Sequence, residues 1–291
     1  MDDASSLRTD ASMNAVASSN SGVVNQDSFP PECGGRTVAP TLPFTGERIV
    51  PGMAAEQLFR EHEARYVFAG KFVKNKRVLD VACGSGLGTD YLLKAGAQSC
   101  LGLDIDNEAI EYARAVYKDC NFVQCDATSL CLLDGTVDAV VSFETIEHVK
   151  NQASFLLECR RVLRPGGILV CSTPNRTLSR WGEDNPFHFQ ELTVAEFSEL
   201  LKTVFTEVQL YAQRNKTYPL YVARKVLLSL FSKLHLNEPV KRFLRGRRAP
   251  ALLKTEFDAN SNYLDAEIVP YRSAPLIQPT YVISVGRKPL R

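Results

Sequence analysis

Val78-Leu79-Asp80-Val81-Ala82-Cys83-Gly84-Ser85-Gly86-Leu87-Gly88 reads as a buried apolar strand that runs into a glycine turn and opens a helix. Glycines at 84, 86 and 88 let the backbone approach a ligand at the carboxyl end of a first strand, where open α/β sheets bind their cofactors. A glycine loop alone is weak ground for a fold. Its context decides the matter, because strand patterns at 77–81, 99–104, 121–125, 137–143 and 167–173 are interspersed with helical patterns at 88–95, 108–117, 153–163 and 194–203. Such alternation needs right-handed crossovers, and so predicts an α/β doubly wound, mostly parallel sheet covered by helices on both faces.

Upstream of the first strand, residues 54–74 interleave Leu58, Tyr66, Phe68 and Phe72 with Arg60, Glu61, Glu63 and Arg65, which predicts a helix able to cover the site. Residues 1–40 are rich in Ser, Asn, Asp and Ala without periodicity, so a disordered tail is expected there and a single domain over 41–291. Downstream, alternation at 207–212 returns at 280–286. Paired as an antiparallel hairpin at the sheet edge, these complete seven strands and leave 214–279 as a helical insertion. Between Arg214 and Lys254 that segment carries eleven basic residues against one acid, Glu238. Residues 221–236 set Val222, Val226, Leu227, Leu230, Phe231 and Leu234 against Arg224, Lys225 and Lys233, an amphipathic basic pattern. A basic stretch over 221–248 could pack on the domain, touch an anionic membrane peripherally, or hold an anionic acceptor. No aromatic platform accompanies it, which argues against nucleic acid as partner.

With formal net charge +1, the whole chain favours neither nucleic acid nor an acidic partner. There is no apolar run of eighteen residues and no secretory leader pattern, so a cytoplasmic protein is expected. Its eight cysteines form no CxxC pair and read as free thiols.

The nature of the ligand turns on two acids and one missing glycine. Asp104 closes the second strand in Leu101-Gly102-Leu103-Asp104-Ile105-Asp106, where an acid bonds ribose hydroxyls and Ile105 can pack on adenine. A dinucleotide fingerprint wants its third glycine at position 89, but the chain has Thr89. Asp80, placed at the mouth of the loop, would repel a pyrophosphate and welcome the ammonium and sulfonium of S-adenosyl-L-methionine.

Asp80 with Gly84, Gly86 and Gly88, Asp104, Asp126 in Gln124-Cys125-Asp126-Ala127, and Leu163-Arg164-Pro165-Gly166-Gly167 together resemble the ordered motifs of class I S-adenosylmethionine-dependent methyltransferases, over about 44–212. The resemblance implies a Rossmann-like fold and the S-adenosylmethionine cofactor. It implies that Asp80 supports the methionine end and that Asp104 holds the ribose. Asp126 then accepts from the adenine amino group, and Ala127 and Phe143 are further cofactor-binding candidates beside Ile105. Ser142-Phe143-Glu144-Thr145-Ile146-Glu147-His148 is similar to the Glu-x-x-Glu-His element of quinone-pathway O-methyltransferases. If helical, it puts Glu144 and His148 on one face. A related element in small-RNA methyltransferases holds a divalent metal, and Glu144, Glu147, His148 and His188 could do so here, but no metal is assigned. Glu144, His148 and His188 are the candidate catalytic residues, either histidine being able to take a proton from an acceptor hydroxyl near neutral pH. Thr45-Gly46-Glu47-Arg48-Ile49-Val50-Pro51-Gly52 and Glu61-His62-Glu63-Ala64-Arg65-Tyr66 resemble the start of bacterial methyltransferases of glycan and secondary-metabolite pathways, which places Glu47, Arg65 and Tyr66 at the donor pocket. The expected reaction is O-methylation of a small-molecule, sugar or lipid-linked acceptor. A dinucleotide-dependent oxidoreductase and a non-catalytic S-adenosylmethionine-binding partner protein are the alternatives.

Overall fold

Strand β1 (Arg77–Val81) lies at the middle of the sheet and pairs in parallel with β2 (Ser99–Asp104) on one side and β4 (Val137–Phe143) on the other. Val-Leu-Asp-Val and Val-Asp-Ala-Val-Val-Ser-Phe read as nearly unbroken apolar runs because both faces of a parallel sheet are covered. The computed structural model describes residues 42–43, 48–50, 56–179, 185–215, 266–271 and 279–290. The expected tail, Glu47 and the basic stretch 221–248 lie outside the described residues.

Helix α1 (Glu56–Gly70) precedes β1, and α2 (Leu87–Lys94) starts from the glycine turn. Helix α3 (Asn107–Val116) begins where Asp106 accepts from the backbone N–H groups of Glu108 and Ala109, a side-chain cap that satisfies two otherwise unpaired donors. Then follow β3 (Asn121–Gln124), β4, a single 3₁₀ turn (Ile146–His148), α4 (Gln152–Val162), β5 (Leu163–Pro174) and the short α5 (Arg176–Ser179). Thr193 and Glu196 form a reciprocal capping box at the start of α6 (Val194–Lys202). The chain ends in β6 (Thr206–Asn215), β7 (Ala266–Pro270) and β8 (Tyr281–Arg287).

Strand order is β3-β2-β1-β4-β5-β8-β6-β7, the first five parallel and the pairs β5–β8, β8–β6 and β6–β7 antiparallel. The doubly wound sheet and its antiparallel β6–β8 pair match the sequence reading. The count does not, since β7 is an eighth strand inside the segment read as helical. Five residues ending in Pro270 give too little alternation to be noticed, and a proline is tolerated there because β7 is the sheet edge. The main core packs Leu79, Leu103 and Val140 of the sheet against Phe155 and Leu156 of α4 and Phe197 of α6, while Ile110 and Ala113 of α3 pack on Phe122. All seven cysteines among the described residues are free thiols.

The order in which strands are added reverses between β1 and β4, and at such a switch point the loops diverge and leave a crevice above the carboxyl ends of the strands. The candidate site lies there.

Candidate functional site

A cleft of about 1110 Å³ opens above β1, β2, β3 and β4. Its β1–β3 side is built from strand ends. Gly84 and Gly88 contribute backbone, Asp104 and Asp126 contribute carboxylates, and Ile105 and Ala127 contribute apolar surface. Asp104 braces the glycine loop as well as lining the cleft, since Oδ2 accepts from Gly84 N at 2.8 Å and Oδ1 from Asp106 N at 2.9 Å. A carboxylate has about four lone-pair positions, so two remain for a ligand's hydroxyls. Ile105 is 67% exposed beside it, an apolar side chain left uncovered at the cleft. Asp126 closes the far end, with Oδ1 accepting from Thr128 N and Oγ1 at 2.7 and 2.8 Å. Over the loop runs the segment 48–50. Ser85 Oγ donates to the Ile49 carbonyl, Arg48 pairs with Asp106, and Arg48 and Ile49 line the cleft.

Two predicted cofactor residues do not line the cleft. Asp80, expected at the mouth of the loop, is fully buried behind it, accepting from Tyr66 Oη at 3.1 Å and Thr89 Oγ1 at 2.7 Å. Burial pushes its carboxyl up to about 7 against the opposing pull of the bonds from Thr89 and Tyr66. The physical reason is α1, which covers the strand with Tyr66 and closes the face that the sequence reading left open. Tyr66 likewise supports the loop from beneath, edge-on to Phe143 at 4.9 Å. Gly86 is a packing glycine, with φ 83° and only 2.7 Å between an added Cβ and the Cβ of Ala113.

Gly88 carries the tightest contact, since an added Cβ would sit 1.9 Å from Tyr66 Cζ. Gly88→Ala is therefore expected to displace the ring and its bond to Asp80, lowering urea stability by about 3 kcal/mol, at the upper end of overpacking costs. Equilibrium unfolding of the variant measures this.

The opposite side of the cleft holds the acceptor candidates. Glu144 does not share a helical face with His148, because it stands outside the 3₁₀ turn at φ 55°. It reaches the cleft as a strand-end residue, accepting from Ser172 Oγ at 3.1 Å, 4.0 Å from Arg65 Nη2. Burial raises its carboxyl above the usual range, with Arg65 acting in the other direction. Glu147 points into the protein, accepts from Thr173 Oγ1 and is raised well above the usual range by burial and then by Glu144.

His148 Nδ1 lies 3.1 Å from the Phe187 carbonyl. A carbonyl only accepts, so Nδ1 holds the proton and the lone pair of the neutral ring is on Nε2. His188 meets it edge-on at 4.8 Å, and both nitrogens of His188 lie within bonding distance of side chains. Nδ1 lies 2.6 Å from Glu191 Oε1 and Nε2 lies 3.0 Å from Asn185 Nδ2. Phe187 N donates to Asn185 Oδ1, which fixes the amide with its NH₂ toward the ring. Hence the Nε2 lone pair of His188 is occupied. Glu147, His148 and His188 each offer a ligand atom within 4.8 Å of the others, a donor set of the type a divalent cation takes, although Asn185 and Glu191 already hold the ring of His188.

Arg48, Ile49, His62, Asn175, Glu191 and Tyr281 also line the cleft and were not singled out from sequence. Asn175 directly follows β5, so its strand-end position was the available signal. Arg65 lies toward β6 and β8 rather than beside the glycine loop, bonded to Gln213 and stacked on Tyr281.

Residues 79–171 match a family model described as Methyltransferase domain. A Mycolicibacterium smegmatis protein named "Probable S-adenosylmethionine-dependent methyltransferase" is 44% identical over 172 residues, 58% of this chain and 66% of that one. A "Ubiquinone biosynthesis O-methyltransferase" of Roseobacter denitrificans is 35% identical over 108 residues, 35% of this chain and 43% of that one. The chain thus covers less than two thirds of either relative's length. Among solved structures, a SAM-dependent methyltransferase from Thermotoga maritima superposes with a TM-score of 0.52 at 16% identity, covering 79% of this chain and 92% of its own, a likeness of fold. Residues 79–171 are thus similar to a methyltransferase domain, on a fold that a SAM-dependent methyltransferase shares.

Proposed function

We propose that this chain is a class I methyltransferase, which transfers the methyl group of S-adenosylmethionine to a hydroxyl of a small-molecule, sugar or lipid-linked acceptor. The observation that carries the proposal is the convergence, on one cleft, of the Asp104 and Asp126 carboxylates and the Gly84 backbone on one side with Glu144 and His148 on the other. The first group fits the donor: a ribose diol against Asp104, adenine on Ile105 with its amino group toward Asp126. The O-methyltransferase name of the Roseobacter relative favours oxygen as the atom methylated.

S-adenosylmethionine supplies a methyl carbon on a positively charged sulfur, which departs as a neutral thioether when the acceptor oxygen attacks in line. Everything else falls to the protein. His148 Nε2 takes the hydroxyl proton as the oxygen–carbon bond forms, and Phe187 holds the ring in the required tautomer. His188 packs edge-on against that ring and is itself fixed by Asn185 and Glu191. It acts as a positioning residue rather than a second base.

Calorimetric titration with S-adenosylhomocysteine and with NAD tests the donor, and turnover of labelled S-adenosylmethionine tests catalysis. Binding of NAD alone would favour an oxidoreductase; tight S-adenosylhomocysteine binding without turnover would leave a non-catalytic binding protein. Asp104→Ala is expected to weaken S-adenosylhomocysteine by about 10- to 100-fold, because it removes a charged acceptor and leaves two loop amides without their partner. Unchanged affinity in the same titration would sink the ribose assignment.

A further inference from the structure

Of the seven cysteines among the described residues, five are buried, whereas Cys125, directly after β3, is half-buried and Cys131 is exposed. These two belong together. Cys131 N donates to Cys125 Sγ at 3.0 Å, and the Cys131 thiol is itself hydrogen-bonded to the Cys125 thiol. The Cys125 S–H in turn faces the carbonyls of Ser129 and Asp126, at 3.6 and 3.7 Å. Buried thiols are inert, whereas an exposed thiol with a second sulfur in contact is the arrangement of a redox-sensing pair. The loop between them matters to the site. Asp126, Ala127 and Thr128 line the cleft at the edge proposed for adenine, as does Cys125, while Cys131 stands outside it.

We propose that Cys125 and Cys131 form a reversible oxidative modification site, which a hydroperoxide converts to a disulfide and which thereby weakens donor binding at the Asp126 edge of the cleft. The coupling to the donor rests on the methyltransferase reading; the disulfide does not. Cys131 reacts first, as the more exposed thiol. Burial, and after it the bond with Cys131, pushes the Cys125 thiol up to about 11, which keeps it protonated and slow toward peroxide itself. With hydrogen peroxide, the Cys131 sulfur takes one oxygen as the O–O bond breaks, giving a sulfenic acid and one water. The Cys125 sulfur then attacks that sulfur, the S–O bond breaks, and hydroxide leaves as a second water with the Cys125 proton. Two thiols lose two electrons in all, and the peroxide gains them.

Both ends of the loop are anchored, so closure acts on its middle. Cys125 N donates to the Asp104 carbonyl at 2.8 Å. At the other end Leu130 N donates to Glu158 Oε2 at 2.8 Å, and Arg161 donates to the Leu130 and Leu132 carbonyls at 2.8 and 2.7 Å. Joining the sulfurs removes the S–H that faces Ser129 and Asp126 and draws the two limbs together. The change falls on residues 126–129, where Thr128 N and Oγ1 hold the Asp126 carboxylate.

The test treats the full chain, reduced and then freed of reductant, with hydrogen peroxide. Free thiols are blocked with iodoacetamide in urea, and cleavage before aspartate separates residues 119–125 from 126–133 for mass spectrometry. The expected result is these two fragments joined through Cys125 and Cys131, with Cys120 alkylated. Fragments that are both fully alkylated, or a link through any other cysteine, overturn the site. Calorimetric S-adenosylhomocysteine affinity is expected to fall about tenfold on oxidation, the scale of one hydrogen bond to a charged group, and to return with dithiothreitol. A disulfide with unchanged affinity overturns the coupling. Reduced protein that binds no S-adenosylhomocysteine overturns the donor reading and the coupling with it, while the fragments still decide the disulfide. Cys131→Ser, outside the cleft, should bind within about twofold of the original protein, as exposed substitutions do, and should not respond to peroxide. A peroxide-dependent loss that persists in this variant overturns the assignment to the pair.

Discussion

Replacing His148 by alanine is expected to lower kcat by about 10²- to 10⁴-fold, the usual contribution of a positioned general base, while S-adenosylhomocysteine binds within about twofold of the original protein. The separation follows from geometry. His148 stands after β4, across the cleft from Asp104 and Asp126, so its loss leaves the proposed donor contacts intact. His148→Gln should not rescue, because an amide can fill the space and meet the Phe187 carbonyl but cannot take a proton. His188→Gln should fall in between, since it leaves the base present and removes only the ring that packs against it. Single-turnover rates with labelled S-adenosylmethionine, set beside calorimetric affinities, measure both. Equal losses in rate and affinity for His148→Ala would make it a structural residue and remove the base from the proposed mechanism.

What could be read from sequence was what depends on near neighbours. The glycine turn and the acids at the ends of β2 and β3 are local patterns, and Asp104, Ile105, Asp126 and Ala127 line the cleft. The rest required contacts between distant parts of the chain. Asp80 lies in the right strand but turns toward α1, and only Tyr66, fourteen positions earlier, reveals that this face is closed. His188 looked equivalent to His148 until Asn185 and Glu191 were seen to occupy both of its nitrogens. Arg65 was expected at the donor pocket beside Glu47 and Tyr66. Its partner Gln213, 148 residues away, shows that this face of α1 is buried against β6. Strand β7 escaped notice because five residues carry too little pattern.

Those distant contacts have a measurable signature in the pH dependence of stability, with Asp80 and His62 of opposite sign. Asp80 is raised from 3.8 to about 7, so the folded state prefers its protonated form. Its contribution is complete below about pH 4 and is lost as pH rises to 7, at about 1.4 kcal/mol per unit, or about 4 kcal/mol in all for a fully buried group. His62 is lowered from 6.5 to about 3, so the folded state prefers the neutral ring. Its contribution is present above about pH 6.5 and is lost on acidification through that range, in smaller amount because part of the side chain meets water at the cleft. In the original protein the two slopes oppose each other between about pH 4 and 6.5. Asp80→Asn removes one of them, so its stability relative to the original should improve by about 4 kcal/mol between pH 4 and 7.5. His62→Gln should move the other way, gaining on the original protein as the pH falls. Urea denaturation of the three proteins at half-unit intervals decides the matter. If the Asp80→Asn difference does not change with pH, Asp80 ionises in the folded chain as it does in water, and the buried position behind the glycine loop is wrong.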